Sequence, residues 1–216
     1  MCMIVRMDMD VGVLLQTAHH LIRTGRFEEA IAQYDNVLEM DNNNTIALEH
    51  KGQAYYYLGR YENAIACYDQ ALAINQNLIA VWFNKGYTLR KSGRFLDAIT
   101  CFDRALALDP EYTPALANKG YALSGLWRYK EAIACFDTIL AESPNNIRAL
   151  TAKGIALREL GKNDDALDYF DKALEFNSIN TFVWQNKALA LTNLGRDKEA
   201  DAALQRGNFP QNIGKI

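Results

Sequence analysis

Residues 82–110 read WFNKGYTLRKSGRFLDAITCFDRALALDP, and the spacing inside this stretch decides the fold. It holds Trp82, Gly86, Ala98, Phe102, Ala105 and Pro110. Stepping outward by 34 residues finds the same residue types again. Alanines recur at Ala30, Ala64, Ala98, Ala132, Ala166 and Ala200, and glycines at Gly52, Gly86, Gly120 and Gly154. The aromatics Tyr34, Tyr68, Phe102, Phe136 and Phe170 keep the same step. Self-similarity at such a period is the signature of a stacked repeat protein. The frame runs through residues 11–44, 45–78, 79–112, 113–146, 147–180 and 181–214.

Each unit predicts two helices. In 45–57, Leu48, Gly52 and Tyr55 fall on one helical face. Leu58-Gly59-Arg60 breaks that helix, glycine taking a tight or left-handed turn at little steric cost. A second helix over about 61–75 puts Ala64, Tyr68, Ala71 and Leu72 on one face. Asp109-Pro110 and Ser143-Pro144 close later units, since proline stops a helix. Small residues let helix axes approach, large ones fill the space between, and helices this short need their neighbours.

The pattern resembles the tetratricopeptide repeat family over nearly the whole chain. The leading aromatic or leucine of that family stands at Leu14, Leu48, Trp82, Leu116, Leu150 and Trp184. The resemblance implies an all-α, right-handed superhelical solenoid of antiparallel helix pairs, spanning residues 11–207. Residues 1–10 are expected to be an N-terminal segment and 208–216 a tail. The sixth repeat is degenerate, with Leu204 for the aromatic and Gly207 for the alanine. Its polar Asp197, Lys198, Glu199 and Asp201 suit an end cap. In repeat four the turn reads Gly125-Leu126-Trp127, and Trp127 is expected to be exposed.

On a wheel with Trp82, Gly86 and Leu89 near 0°, Asn84, Tyr87 and Lys91 fall at about 140–200°, the opposite face. The resemblance implies that this face lines a concave groove holding a peptide or a partner's helix. The candidates are His50, Gln53, Tyr56 and Tyr57 in repeat two, and Phe83, Asn84, Tyr87, Arg90 and Lys91 in repeat three. Asn118 and Tyr121, Arg158, and Asn186 continue the face in repeats four, five and six. Tyrosine and arginine are enriched at binding hot spots, and amides pair with extended backbones. An ordinary solvated face is the competing reading; the clustering of aromatics in repeats two to four favours the groove. The lysine clamp by which some family members hold a terminal carboxylate is not matched, because Glu49 and Phe83 stand in its place.

Other chemistry is sparse. His19 and His50 have no third ligand or supporting carboxylate in view, so no metal is expected. Cys67, Cys101 and Cys135, 34 residues apart, read as small buried packing residues. No phosphate loop, nucleophile elbow or zinc-protease motif exists, so neither an enzyme nor a cofactor is expected. Net charge is −3, which argues against nucleic acid. No apolar run is long enough for a membrane helix, and the acidic residues 1–10 are unlike a signal peptide, so a cytoplasmic location is expected.

The leading expectation is a non-catalytic interaction module or scaffold for a protein or peptide ligand. The alternatives are self-assembly, as a homo-oligomer joined through the poorly capped C-terminal repeat, and an RNA-binding helical repeat. One architectural expectation is separate. Lysines at Lys51, Lys85, Lys119, Lys153 and Lys187 match aspartates at Asp35, Asp69, Asp103, Asp137 and Asp171 only across repeat junctions. Five inter-repeat ion pairs are predicted.

Overall fold

A computed structural model describes residues 10–208 of the 216. The expected N-terminal segment and tail lie outside these residues, except Asp10 and Asn208. Two compact units divide between Tyr112 and Thr113. In unit 1 the helices are α1 (Val11–Arg23), α2 (Phe27–Met40), α3 (Thr45–Tyr57), α4 (Tyr61–Ile74), α5 (Ile79–Lys91) and α6 (Phe95–Leu108). In unit 2 they are α7 (Thr113–Gly125), α8 (Tyr129–Glu142), α9 (Ile147–Glu159), α10 (Asn163–Phe176), α11 (Thr181–Asn193) and α12 (Asp197–Asn208). No strand occurs among the described residues. Each unit is three stacked helix pairs, two helices per 34-residue repeat.

Local chemistry sets the helix ends. Asn44, Asn146 and Asn180 cap α3, α9 and α11 by accepting from the backbone N–H three residues on. The second helices open on a basic residue instead. There Arg26, Arg94, Arg128 and Arg196 reach an acid three residues later, Glu29, Asp97, Glu131 and Glu199, bracing the turn. The first helices end in a left-handed residue at Gly25, Gly59, Gly93, Gly161 and Gly195, with φ between 70° and 82°.

Trp127 holds that left-handed place in repeat four, with φ 63° and 78 % exposure. The turn around it closes as the glycine turns do, with the next residue donating, Arg128 N–H to Leu123 O at 3.0 Å. A side chain there costs ~1–2 kcal/mol relative to glycine, part of which glycine returns through its freer unfolded chain. Trp127→Gly is therefore expected to stabilise unit 2 by about 1 kcal/mol, read as a higher urea midpoint at unchanged slope.

The core follows the frame. Tyr34, Tyr68, Phe102, Phe136 and Phe170 are fully buried. In repeats two to five their rings press on Gly52, Gly86, Gly120 and Gly154, where an added Cβ would stand 2.5–2.8 Å from the ring. The buried arc of the first helices is wider than the one-face reading predicts. In α5 it includes Val81 and Thr88 as well as Gly86 and Leu89, while Trp82 is only half-buried. The reason is that α3, α5, α9 and α11 each pack between two second helices and also meet a neighbouring first helix. Small or β-branched side chains are buried on these helices beyond the one-face set: Ala47 and Ala54, Ala149 and Ala156, Val183 and Ala190.

Four of the expected ion pairs lie within the units: Lys51–Asp35, Lys85–Asp69, Lys153–Asp137 and Lys187–Asp171. The fifth, Asp103 with Lys119, has one residue in each unit. The lysine stems are mostly covered and the aspartates half-exposed, so each pair contributes ~0–1 kcal/mol and mainly fixes register. Each lysine also lies over an aromatic ring: Tyr55, Trp82, Tyr169 and Trp184 at 5.9, 5.7, 4.2 and 5.4 Å. A second ladder joins the second helices of unit 1, Arg60 to Glu28 at 2.8 Å and Arg94 to Glu62 at 3.5 Å.

Candidate functional site

The candidates of repeats two and three meet in unit 1. Tyr56 and Tyr57 come from the last turn of α3, and Phe83 and Tyr87 from successive turns of α5. The ring of Tyr56 lies 5.5 Å from those of Tyr57 and Tyr87, and Phe83 lies 6.0 Å from Tyr87. They enclose a cleft of about 370 Å³, with Gln53, Asn84, Tyr68 and Thr88 also lining it. Burial among these rings pushes the Tyr56 hydroxyl up to about 12, so it is a neutral donor at neutral pH. Arg90 and Lys91 flank the cleft, 5.2 and 5.7 Å from the Tyr87 ring.

The polar groups are oriented from behind. Asn84 Nδ2 donates to Glu49 Oε1 at 3.0 Å. That leaves Asn84 Oδ1 as an acceptor on a residue that lines the cleft. Burial raises the Glu49 carboxyl pKa, opposed by the nearby His50 and by the Asn84 bond. Gln53 Oε1 meets His50 Nδ1 at 2.9 Å, which leaves the Gln53 amide N–H groups as donors. His19 stands edge-on to His50, ring centroids 4.3 Å apart, and burial, then the His50 charge, lowers its pKa. The pair therefore resists double protonation.

The remaining candidates form a separate set in unit 2. Asn118 Nδ2 donates to Pro114 O at 2.8 Å, and Tyr121 lies against Phe136, 5.6 Å between centroids. Arg158 donates to Asn186 Oδ1 at 2.8 Å and to Glu159 at 2.6 Å. Asn186 also donates to Phe182 O at 2.7 Å and is buried, so both ends of its amide are engaged. It is less available to a ligand than Asn84.

Several contributors escape the sequence reading. Glu49 orients Asn84 from 35 residues away, and no pattern on one helix signals that. Phe27 stacks on Tyr57 at 5.0 Å and Tyr112 stands edge-on to Phe83 at 5.6 Å, both from outside the first helices. Cys67, Cys101 and Cys135 are buried, and burial pushes the Cys101 thiol up to about 11. Among the described residues, no three His, Cys, Asp or Glu side chains converge as metal ligands. No helix among them is long and apolar enough to cross a membrane.

Known proteins agree with the repeat architecture. Family models described as TPR repeat or tetratricopeptide repeat match residues 13–44, 52–93, 79–112, 119–180 and 151–213. No curated protein matches significantly. Among solved structures, PilW, described as a widely conserved type IV pilus biogenesis factor, is similar with a TM-score of 0.78 at 26% identity, over 94% of this chain and 95% of that one. MamA is similar with a TM-score of 0.72 at 26% identity, over 78% of this chain and 92% of that one. YrrB, described as a TPR protein with an unusual peptide-binding site, has a TM-score of 0.67 at 19% identity, over 83% of this chain and 94% of that one. That last likeness bears on the fold alone. The matches tile the same 34-residue frame that the buried glycine–aromatic contacts follow, and the chain belongs to the tetratricopeptide repeat family.

Proposed function

We propose that the chain is a non-catalytic scaffold that holds a peptide or partner helix on the first-helix face of unit 1. The observation that carries this is the aromatic cleft between Tyr56, Tyr57, Phe83 and Tyr87. Aromatic walls supply contact area at low entropic cost. Asn84 offers an acceptor and Gln53 a donor, the two groups an extended backbone needs. Arg90 and Lys91 favour an acidic residue beside the inserted side chain.

A peptide selected on the intact protein should bind Tyr87→Ala and Asn84→Ala about tenfold more weakly each, by isothermal titration. Unchanged affinity of the double variant would sink the proposal. A second reading, self-association through the last repeat, has its own support. Phe182 and Leu189 lie seven residues apart on α11 and are 57 % and 53 % exposed. Light scattering showing only monomer at high concentration would remove it.

A further inference from the structure

Unit 2 contains a second cavity, remote in sequence from the aromatic cleft and not used by the proposed function. It has a volume of about 520 Å³ and lies between α8, α9 and α10, over Leu150. Its origin is visible by comparing repeat junctions. The position of Leu150 is taken by Trp82 two repeats earlier and by Trp184 one repeat later. Both indoles sit the same way. Trp82 Nε1 donates to Gln76 O at 2.8 Å, and Trp184 Nε1 donates to Ser178 O at 2.8 Å, each carbonyl six residues earlier. The junction lysine lies over each ring, Lys85 at 5.7 Å and Lys187 at 5.4 Å.

Around Leu150 the fittings are kept and the indole is missing. The carbonyl six residues earlier belongs to Pro144, which lines the cavity. No group among the described residues donates to it. The junction lysine, Lys153, is in place and paired with Asp137. Tyr169 takes over the ring beside that lysine, its hydroxyl 2.6 Å from Lys153 Nζ. Its position is that of Cys101 and Ala203 in the two repeats that carry an indole. Its ring enters from α10, however, and the space against Pro144, Ala141 and Leu140 stays open.

We propose that this cavity binds the tryptophan side chain of a partner protein, with the indole N–H donated to the Pro144 carbonyl. The walls are apolar, and the charged groups lining them balance: Lys153 and Lys172 against Asp137 and Glu175. That selects a neutral aromatic group over a charged ligand. Phe176, which lines the cavity and is 53 % exposed, extends the apolar surface beyond what one indole covers. A side chain carried on a folded partner uses that surface; free indole does not.

The test uses the full chain. N-acetyl-tryptophanamide should give saturable amide shifts in NMR, centred on Lys153 and Tyr169, with a millimolar dissociation constant. The N1-methylated compound, which has no indole N–H, should bind about tenfold more weakly. Leu150→Trp should fill the cavity from within, keep the helical spectrum, raise the melting temperature and abolish those shifts. Should that variant not fold, the two wild-type titrations decide. Shifts centred on Tyr87 instead, no saturation, equal affinity for the methylated compound, or retained binding by a folded Leu150→Trp each overturn the proposal. Tighter binding of free indole than of a tryptophan-containing peptide overturns the assignment to a protein partner.

Discussion

Phe102→Ala is expected to destabilise unit 1 by about 3–5 kcal/mol, the largest effect of any single truncation in that unit. The ring is fully buried between α5 and α6. It lies against the backbone of Gly86 and 6.1 Å from the Phe83 ring. With no side chain on Gly86, nothing can move in to fill the space. Collapse would have to bring whole helices together, against the neighbouring Cys101 and Ala98. Because a stacked repeat is held by nearest-neighbour contacts, the loss should be local. Amides of α5 and α6 should lose hydrogen-exchange protection before those of α1 and α2. The cleft should weaken with them, since Phe83 rests on the same ring. A change below about 1 kcal/mol, or a uniform loss of protection, would contradict this account.

The contact between Gly86 and Phe102 is legible in the sequence. The 34-residue step identifies Gly86 and Phe102 as partners before any coordinates, because both recur together. The lysine–aspartate pairs are legible for the same reason: orphan counting across repeats admits only the junction pairing. Legibility stops where a contact is made once. Asn84 with Glu49, and Arg158 with Asn186, are single events with no periodic echo. The helical wheel gives a first helix one packed face, whereas burial of Thr88 and Asn186 reflects a second and a third neighbour. A wheel computed for one helix cannot contain them. The division at Tyr112 is equally silent, since the frame crosses it without a gap. The Leu150 cavity lies between these extremes. Leucine at the leading position is unremarkable in a list of six, and becomes informative once the bonds of Trp82 and Trp184 are known.

Gly154→Ala and Phe170→Leu should each destabilise unit 2, yet largely compensate when combined. An alanine Cβ at 154 would stand 2.6 Å from Phe170 Cε1 and 2.9 Å from Cδ1, so the ring must shift. Overpacking of this kind costs about 1–3 kcal/mol, against a helix-propensity gain of at most ~1 kcal/mol. The ring is walled in, with Ala166 and Ala173 fully buried on its own helix. Propensity therefore loses. Phe170→Leu alone leaves a void facing a glycine that cannot fill it. Together, the new methyl enters the space the ring vacates. The sixth repeat carries the same pair of sizes, Ala188 and Leu204, at the two positions, with Leu204 40 % exposed at the end of the stack rather than enclosed as Phe170 is. Repeat one, with Ala18 beside Tyr34, shows that a helix pair can accommodate alanine and a ring when the pair is built around both. Helices α9 and α10 are built around a glycine. The double-mutant cycle, measured by urea unfolding, should give a favourable coupling of about 1 kcal/mol or more. Additivity within about 0.3 kcal/mol would mean that ring and glycine are not packed as a unit, and the size exchange between repeats would then lose its physical basis.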